Sequence, residues 1–151
     1  MVLVDIENVV GGPCNTAAKV RWARRRLLDA LPLRKDDQVV VGMDADGLIS
    51  VGAEWCGPRH VLGRGESGAD RALLEVLEEG IAHRFDEVVL VSGDGIFTDM
   101  VVDLTAHGVL VTVVAHESGL SGRLRMAATR VLLLSNFGSA PVPDVPEPRS
   151  A

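Results

Sequence analysis

Four aspartates, Asp5, Asp70, Asp94 and Asp99, stand where carboxylates from distant stretches of chain could act together. Asp5 is the first polar residue after the apolar run 2–4. Asp94 follows the run EVVLVS (87–92) in the turn Ser92-Gly93-Asp94-Gly95. Asp70 and Asp99 fall in the first turns of two helical patterns. Asp70 shares a face with Leu73, Leu74, Leu77 and Ile81, which aims it inward. Gathered carboxylates repel one another and hold their protons more tightly unless a cation compensates. Hard oxygen donors of this kind suit Mg2+ or Mn2+. Such an ion binds phosphate oxygens, acidifies a bound water and steadies the charge of an in-line displacement, so hydrolysis of a phosphodiester is the reaction these parts fit. Each aspartate taken singly has an ordinary explanation, as a helix cap, a turn former or a complement to a helix dipole. Only their convergence carries the chemistry.

The elements that must bring them together alternate between strand and helix, the pattern of βαβ units and a parallel sheet. Strands are expected at 2–4, 38–43, 59–62, 87–92, 109–115 and 131–134. Helices are expected at 16–31, 67–83 with Ser67 as cap, 97–106 and 121–128. Asp46-Gly47 reads as a turn, with 48–51 returning as a hairpin strand. Asp44 and Asp46 end the second strand and could flank the site, but the Asp44-Ala45-Asp46-Gly47 stretch is read first as that turn. In an open parallel sheet ligands bind outside the carboxyl ends of the strands, and the helices that follow begin at the same edge. The four aspartates therefore fall on one rim.

Composition sets the limits. The chain has 151 residues, which favours one domain, and 47% are hydrophobic but only 3% aromatic, so the core must be aliphatic. From residue 138 the sequence turns Pro-rich and aperiodic (GSAPVPDVPEPRSA), which marks a disordered tail behind a folded part of 1–137. No apolar run is long enough to span a membrane, and no basic segment precedes an apolar one at the N-terminus. Cys14 and Cys56 have neither metal-ligand spacing nor the look of a disulfide framework. A reduced, cytoplasmic protein is expected. The net charge of −6 argues against nucleic acid binding over the whole surface but leaves room for a local basic patch. Residues 19–26 (KVRWARRR) supply one. Arg21 and Arg25 are i,i+4 neighbours, suited to phosphate, and Trp22 offers a stacking surface. The bland alternative is a solvated helix face with Trp22 packed at its margin. Arg64, ahead of the Asp70 helix, adds to the rim. The loop Arg64-Gly65-Glu66-Ser67-Gly68 lacks the Gly-Lys-Ser/Thr ending of a P-loop.

The combination VDIEN (Asp5, Asn8), GADRALLEVL (Asp70), VLVSGDGIF (Ser92, Asp94, Phe97) and HGVLVTVVA resembles the NYN domains of the PIN-like nuclease superfamily, and SGLSGRLRMAATRVLLL resembles the end of such domains. The resemblance implies a PIN-like, Rossmann-like three-layer α/β domain with a central, mostly parallel sheet flanked by helices. It also implies a ribonuclease dependent on Mg2+ or Mn2+. Asp5, Asp70 and Asp94 would hold the metal, and Asn8 would contact substrate or brace the site. The pattern departs at one position: the second aspartate of the family's SGDxDF is Ile96 here. Either Asp99, one helical turn on, takes its place, or three carboxylates suffice, or the domain binds RNA without cutting it. The catalytic set is thus Asp5, Asp70, Asp94 and Asp99, and the substrate-binding set Asn8, Ser92, Arg21, Arg25 and Arg64. The expected partner is RNA, single-stranded or with flexible regions, since the centre must reach one backbone phosphate. A homodimer is one option for assembly, which the sequence does not decide.

A haloacid-dehalogenase-like phosphatase is the rival enzyme, with Asp5 as nucleophile and Gly93-Asp94-Gly95 as its final acidic motif. Glu7 and Val9 fit its first motif imperfectly. Of the two lysines between these motifs, Lys19 and Lys35, the later one is the candidate for its required lysine.

Overall fold

Valine-rich runs become strands because β-branched side chains pack well on a pleated surface, and runs buried on both faces read as continuously apolar. The computed structural model describes residues 1–134 and contains six such strands. They are β1 (Val2–Asp5), β2 (Val39–Met43), β3 (Arg59–Leu62), β4 (Glu87–Val91), β5 (Leu110–Ala115) and β6 (Arg130–Leu133). All pair in parallel, in the order β3-β2-β1-β4-β5-β6. The helices are α1 (Ile6–Val10), α2 (Ala17–Ala30), α3 (Leu48–Glu54), α4 (Gly68–Leu77), α5 (Thr98–Ala106) and α6 (Gly122–Ala127). The domain boundary expected after 137 and the Pro-rich tail lie outside the described residues. Among those described, no helix is long and apolar enough to cross a membrane.

Alternation along the strands divides the core in two. Val2, Val4, Val41, Met43 and Val91 pack with Val20, Ala23 and Leu27 of α2 and with Val51 and Trp55. Leu3, Val40, Leu90, Val111 and Val113 pack with Leu73, Val76 and Leu77 of α4, Val101 and Leu104 of α5, and Leu124 of α6. The result is three layers, helix-sheet-helix. Strand order reverses at β1, whose neighbours β2 and β4 are reached by crossovers running opposite ways. The crevice outside the carboxyl ends of β1 and β4 is the switch point where such folds place ligands.

Three local expectations are overturned. Residues 48–51 form no hairpin strand. A 3-10 turn at Ala45–Gly47 leads into α3, which buries Val51 and leaves Ile49 at the surface. The parallel neighbours β1 and β3 already occupy both edges of β2, so a returning strand has nowhere to pair. The α4 helix is shorter than expected because Gly80 adopts a left-handed conformation (φ 73°) and turns the chain into a separate 3-10 segment at Ile81–His83. Ser67 is left-handed itself (φ 53°) and makes no capping bond to α4. The sequence reading missed α1 altogether.

Candidate active site

Register places the first carboxylate. Asp5 follows Leu3 by two positions, so it projects to the face that α4 covers. Opposite it on β2 sits Gly42. A Cβ there would lie 2.6 Å from Leu73 Cγ and 3.1 Å from the Ala69 carbonyl oxygen, so the missing side chain is what lets α4 approach the sheet beside Asp5. From its first turn α4 presents Asp70, buried with Leu73 and Leu77 along the same face. Asp5 and Asp70 stand close enough for the charge of one to act on the other. Both are more than nine-tenths buried, at 5% and 8% exposure.

The turn after β4 brings in the third. Ser92 is fully buried, and its hydroxyl donates to Asp5 Oδ2 at 3.2 Å. The same Oγ accepts the backbone N–H of Asp94 at 3.2 Å. Asp94 is exposed at the rim, and its Oδ1 caps the Ile96 N–H at 2.9 Å. Its charge reaches Asp70. The remaining oxygen of Asp5, Oδ1, caps α1 through the Asn8 N–H at 3.1 Å.

Two further carboxylates stand at this rim that the sequence reading did not assign to it. Glu7 Oε1 accepts the backbone N–H of Asp44 at 3.2 Å, and Asp44 Oδ1 accepts that of Ala69 at 3.1 Å. Glu7 is expected from sequence only as an imperfect match to a phosphatase motif, and Asp44 as a turn former that could flank the site. Glu7 lies two residues beyond Asp5, but the short helix that holds it at the rim leaves no period to read. Asp44 declares itself only by its place after β2, and its partner, a backbone amide, lies 25 residues away.

The electrostatics follow from burial and like charge. Burial pushes the Asp5 carboxyl up, against the stabilising bonds from Asn8 and Ser92. Asp70 rises to about 7, first by burial and then by the charges of Asp5 and Asp94. Glu7 also rises to about 7, first by burial, with the charge of Asp44 adding to it. Among the described residues, no cation is among the main influences on Asp5, Glu7 or Asp70. Asp70 Oδ1 is buried and has no hydrogen-bond partner. Among the described residues no three His, Cys, Asp or Glu side chains already stand in the arrangement of a metal centre. The donor set nevertheless fits a hard divalent cation: all oxygen, uncompensated by positive charge, with one buried oxygen still lacking a partner.

Other expected site residues fall elsewhere. Asp99 is not brought in. In α5 the buried positions are Thr98, Val101 and Leu104, so Asp99 turns outward. Its side chain is 95% exposed, and its ion-pair partner is Arg123 at 3.7 Å. Asn8 is at the site as a brace, its Oδ1 accepting the Gly93 N–H at 3.1 Å. Arg21 is bound to Glu54 of α3 at 2.7 Å, which turns it along the flank of α2. Arg25 is exposed on the same helix, and Trp22 packs against the core with the Arg26 guanidinium 5.9 Å from its ring centre. Arg64 is exposed in the loop from β3 to α4, at the edge where the carboxylates lie. Lys35 lies in the connection before β2, at the opposite edge of the sheet, out of the place a phosphatase lysine needs. Cys14 is buried, which pushes its thiol up to about 12 and leaves it unreactive.

The model of the NYN domain matches residues 58–135, just over half of the chain. The chain belongs to the NYN domain family. This NYN domain therefore comes from a PIN-like nuclease family. The match takes in Asp70, Ser92 and Asp94 but not the β1–α1 segment with Asp5 and Asn8. No curated protein matches the chain. Among solved structures, a protein of unknown function from Vibrio parahaemolyticus has the same fold, with a TM-score of 0.62 over 89% of this chain and 91% of its own at 18% identity.

Proposed function

We propose that this NYN domain is a metal-dependent ribonuclease in which Asp5, Asp70 and Asp94 hold Mg2+ or Mn2+. The observation that carries the reading is the partnerless buried oxygen of Asp70, set among like charges at the switch point of a parallel sheet. A divalent ion bound there supplies charge neutralisation and an acidified water for phosphodiester hydrolysis. The chain's own residues prepare the place. Ser92 and the Asn8 amide fix both oxygens of Asp5, so its orientation does not depend on the ion. Asp94, exposed on its turn, is the carboxylate a substrate phosphate meets first. Arg64 on the neighbouring loop is the nearest candidate to steer an RNA backbone, ahead of Arg21 with its carboxylate partner. Single-stranded RNA suits a rim that must admit one phosphate.

The test is cleavage of single-stranded RNA in Mn2+, with and without EDTA, by wild type, Asp5→Asn and Asp94→Asn. Loss of activity in EDTA and in both variants, with folding intact, is expected. Cleavage that survives EDTA would overturn the proposal. The absence of an acidic side chain at Ile96 favours a second reading, a domain that binds RNA without cutting it. In that case RNA binding would persist while neither cleavage nor a Mn2+-induced rise in thermal stability is seen.

A further inference from the structure

The N-terminus of α4 is held in an unusual way. Ser67, the residue placed to cap it, is left-handed, and its side-chain oxygen accepts no bond from the helix amides. The first amides of a helix need a partner from somewhere. Here the Ala69 N–H is taken by Asp44 Oδ1, from the end of β2. Asp44 is itself held by its backbone N–H, which Glu7 Oε1 accepts from α1. Asp70 is the next residue along from the capped amide. The relay thus runs from α1 through Glu7 and Asp44 to the helix that carries the partnerless oxygen. A second restraint acts at the same point: a Cβ on Gly63 would fall 1.8 Å from the Gly68 carbonyl carbon, so the β3–α4 loop is closed backbone to backbone. The loop thus leaves the first turn of α4 little freedom except the tilt that the Asp44 bond sets.

We propose that Glu7 and Asp44 are positioning residues for Asp70, acting through the first turn of α4 rather than by contact with metal or substrate. The assignment rests on the nuclease reading only for its kinetic consequences. The chemistry of the two bonds separates geometry from charge. Each uses one carboxyl oxygen as a backbone acceptor. Gln at 7 and Asn at 44 keep that oxygen, and Asn is among the best helix caps. A metal ligand of this kind would not tolerate the loss of its charge so well.

The experiment compares Glu7→Ala, Glu7→Gln, Asp44→Ala and Asp44→Asn for RNA cleavage, for Mn2+ affinity by electron paramagnetic resonance, and for hydrogen exchange at the Ala69 amide. The alanine variants are expected to lose ~10–100-fold in kcat and in Mn2+ affinity, the range seen when a supporting partner of a metal site is removed. Their KM should change far less, and their Ala69 amide should exchange faster. The Gln and Asn variants should stay within about threefold of wild type on every readout, because the acceptor oxygen remains. Conservative variants as damaged as the alanine ones would overturn the proposal, since charge would then be what matters. Alanine variants indistinguishable from wild type would overturn it too. Should the alanine variants not fold, protection of Ala69 in the Gln and Asn variants decides. If wild type neither cuts RNA nor binds Mn2+, the nuclease reading fails. Exchange at Ala69 then still reports whether the relay holds α4.

Discussion

Asp70 shows how one side chain can be costly to the fold and yet suited to holding a cation. It is buried, it has an oxygen with no partner, and its neighbours Asp5 and Asp94 carry the same charge. Burying such a group without a counter-charge destabilises the native state. Asp70→Asn should therefore raise the melting temperature of the metal-free protein by ~2–6 °C while abolishing cleavage and any Mn2+-dependent shift, as differential scanning fluorimetry would show. A fall in melting temperature would mean that the carboxylate stabilises the fold. The pH dependence follows from the same residues. Asp70 and Glu7 are raised to about 7 in the fold, above the ordinary carboxyl range, so the native state binds their protons more tightly than the unfolded chain does. Their favourable contribution is whole below the unfolded carboxyl range and is lost as pH rises through about 7. In EDTA the protein should melt at progressively lower temperature between pH 5 and pH 8. Saturating Mn2+ should flatten or reverse that slope, because binding then requires Asp70 deprotonated.

At the scale of elements, legibility depended on whether an element declares itself locally. The strands were readable because runs such as EVVLVS and VLVTVVA are apolar on both faces. The α1 helix was not, because five residues cannot show a period and Ile6 and Val9 look like more of the strand before them. Asp5, Asp70 and Asp94 were readable because each adjoins an element end. Asp99 was misplaced because its helix is rotated so that Thr98 and Val101 face inward, and a first-turn position alone does not fix that rotation. The role of Asp44 was hidden because its partner is a backbone amide from another element. Two predictions belong here. Gly42→Ala should destabilise the protein by ~1–3 kcal/mol, because its methyl would overlap fully buried Leu73, and should reduce activity by lifting α4. Adding Leu73→Ala to that variant should recover part of the activity, and strict additivity of the two losses would sink the account. Arg64→Glu should raise the RNA dissociation constant and flatten its salt dependence more than Arg21→Glu does, since Glu54 already occupies Arg21. Titrations at several salt concentrations measure both, and equal slopes would count against Arg64.

The whole molecule is a doubly wound sheet whose carboxylate-bearing rim is served mainly by its central pair of strands, β1 and β4. The short α1 helix ties the rim together: Glu7 reaches the end of β2, Asn8 the turn after β4, and the Val9 carbonyl oxygen meets His116 after β5 at 3.2 Å. The position of β1 has a consequence for how the protein comes into being. It leaves the ribosome before either neighbour, yet one of the two is not made until residues 87–91 have been synthesised. A nascent chain stalled just short of that segment already carries Asp5 and Asp70 but has no scaffold to bring Ser92 and Asp94 to them. Such a stalled chain should resist protease poorly and retain no Mn2+, and only emergence of the stretch through Asp94 should confer both properties at once.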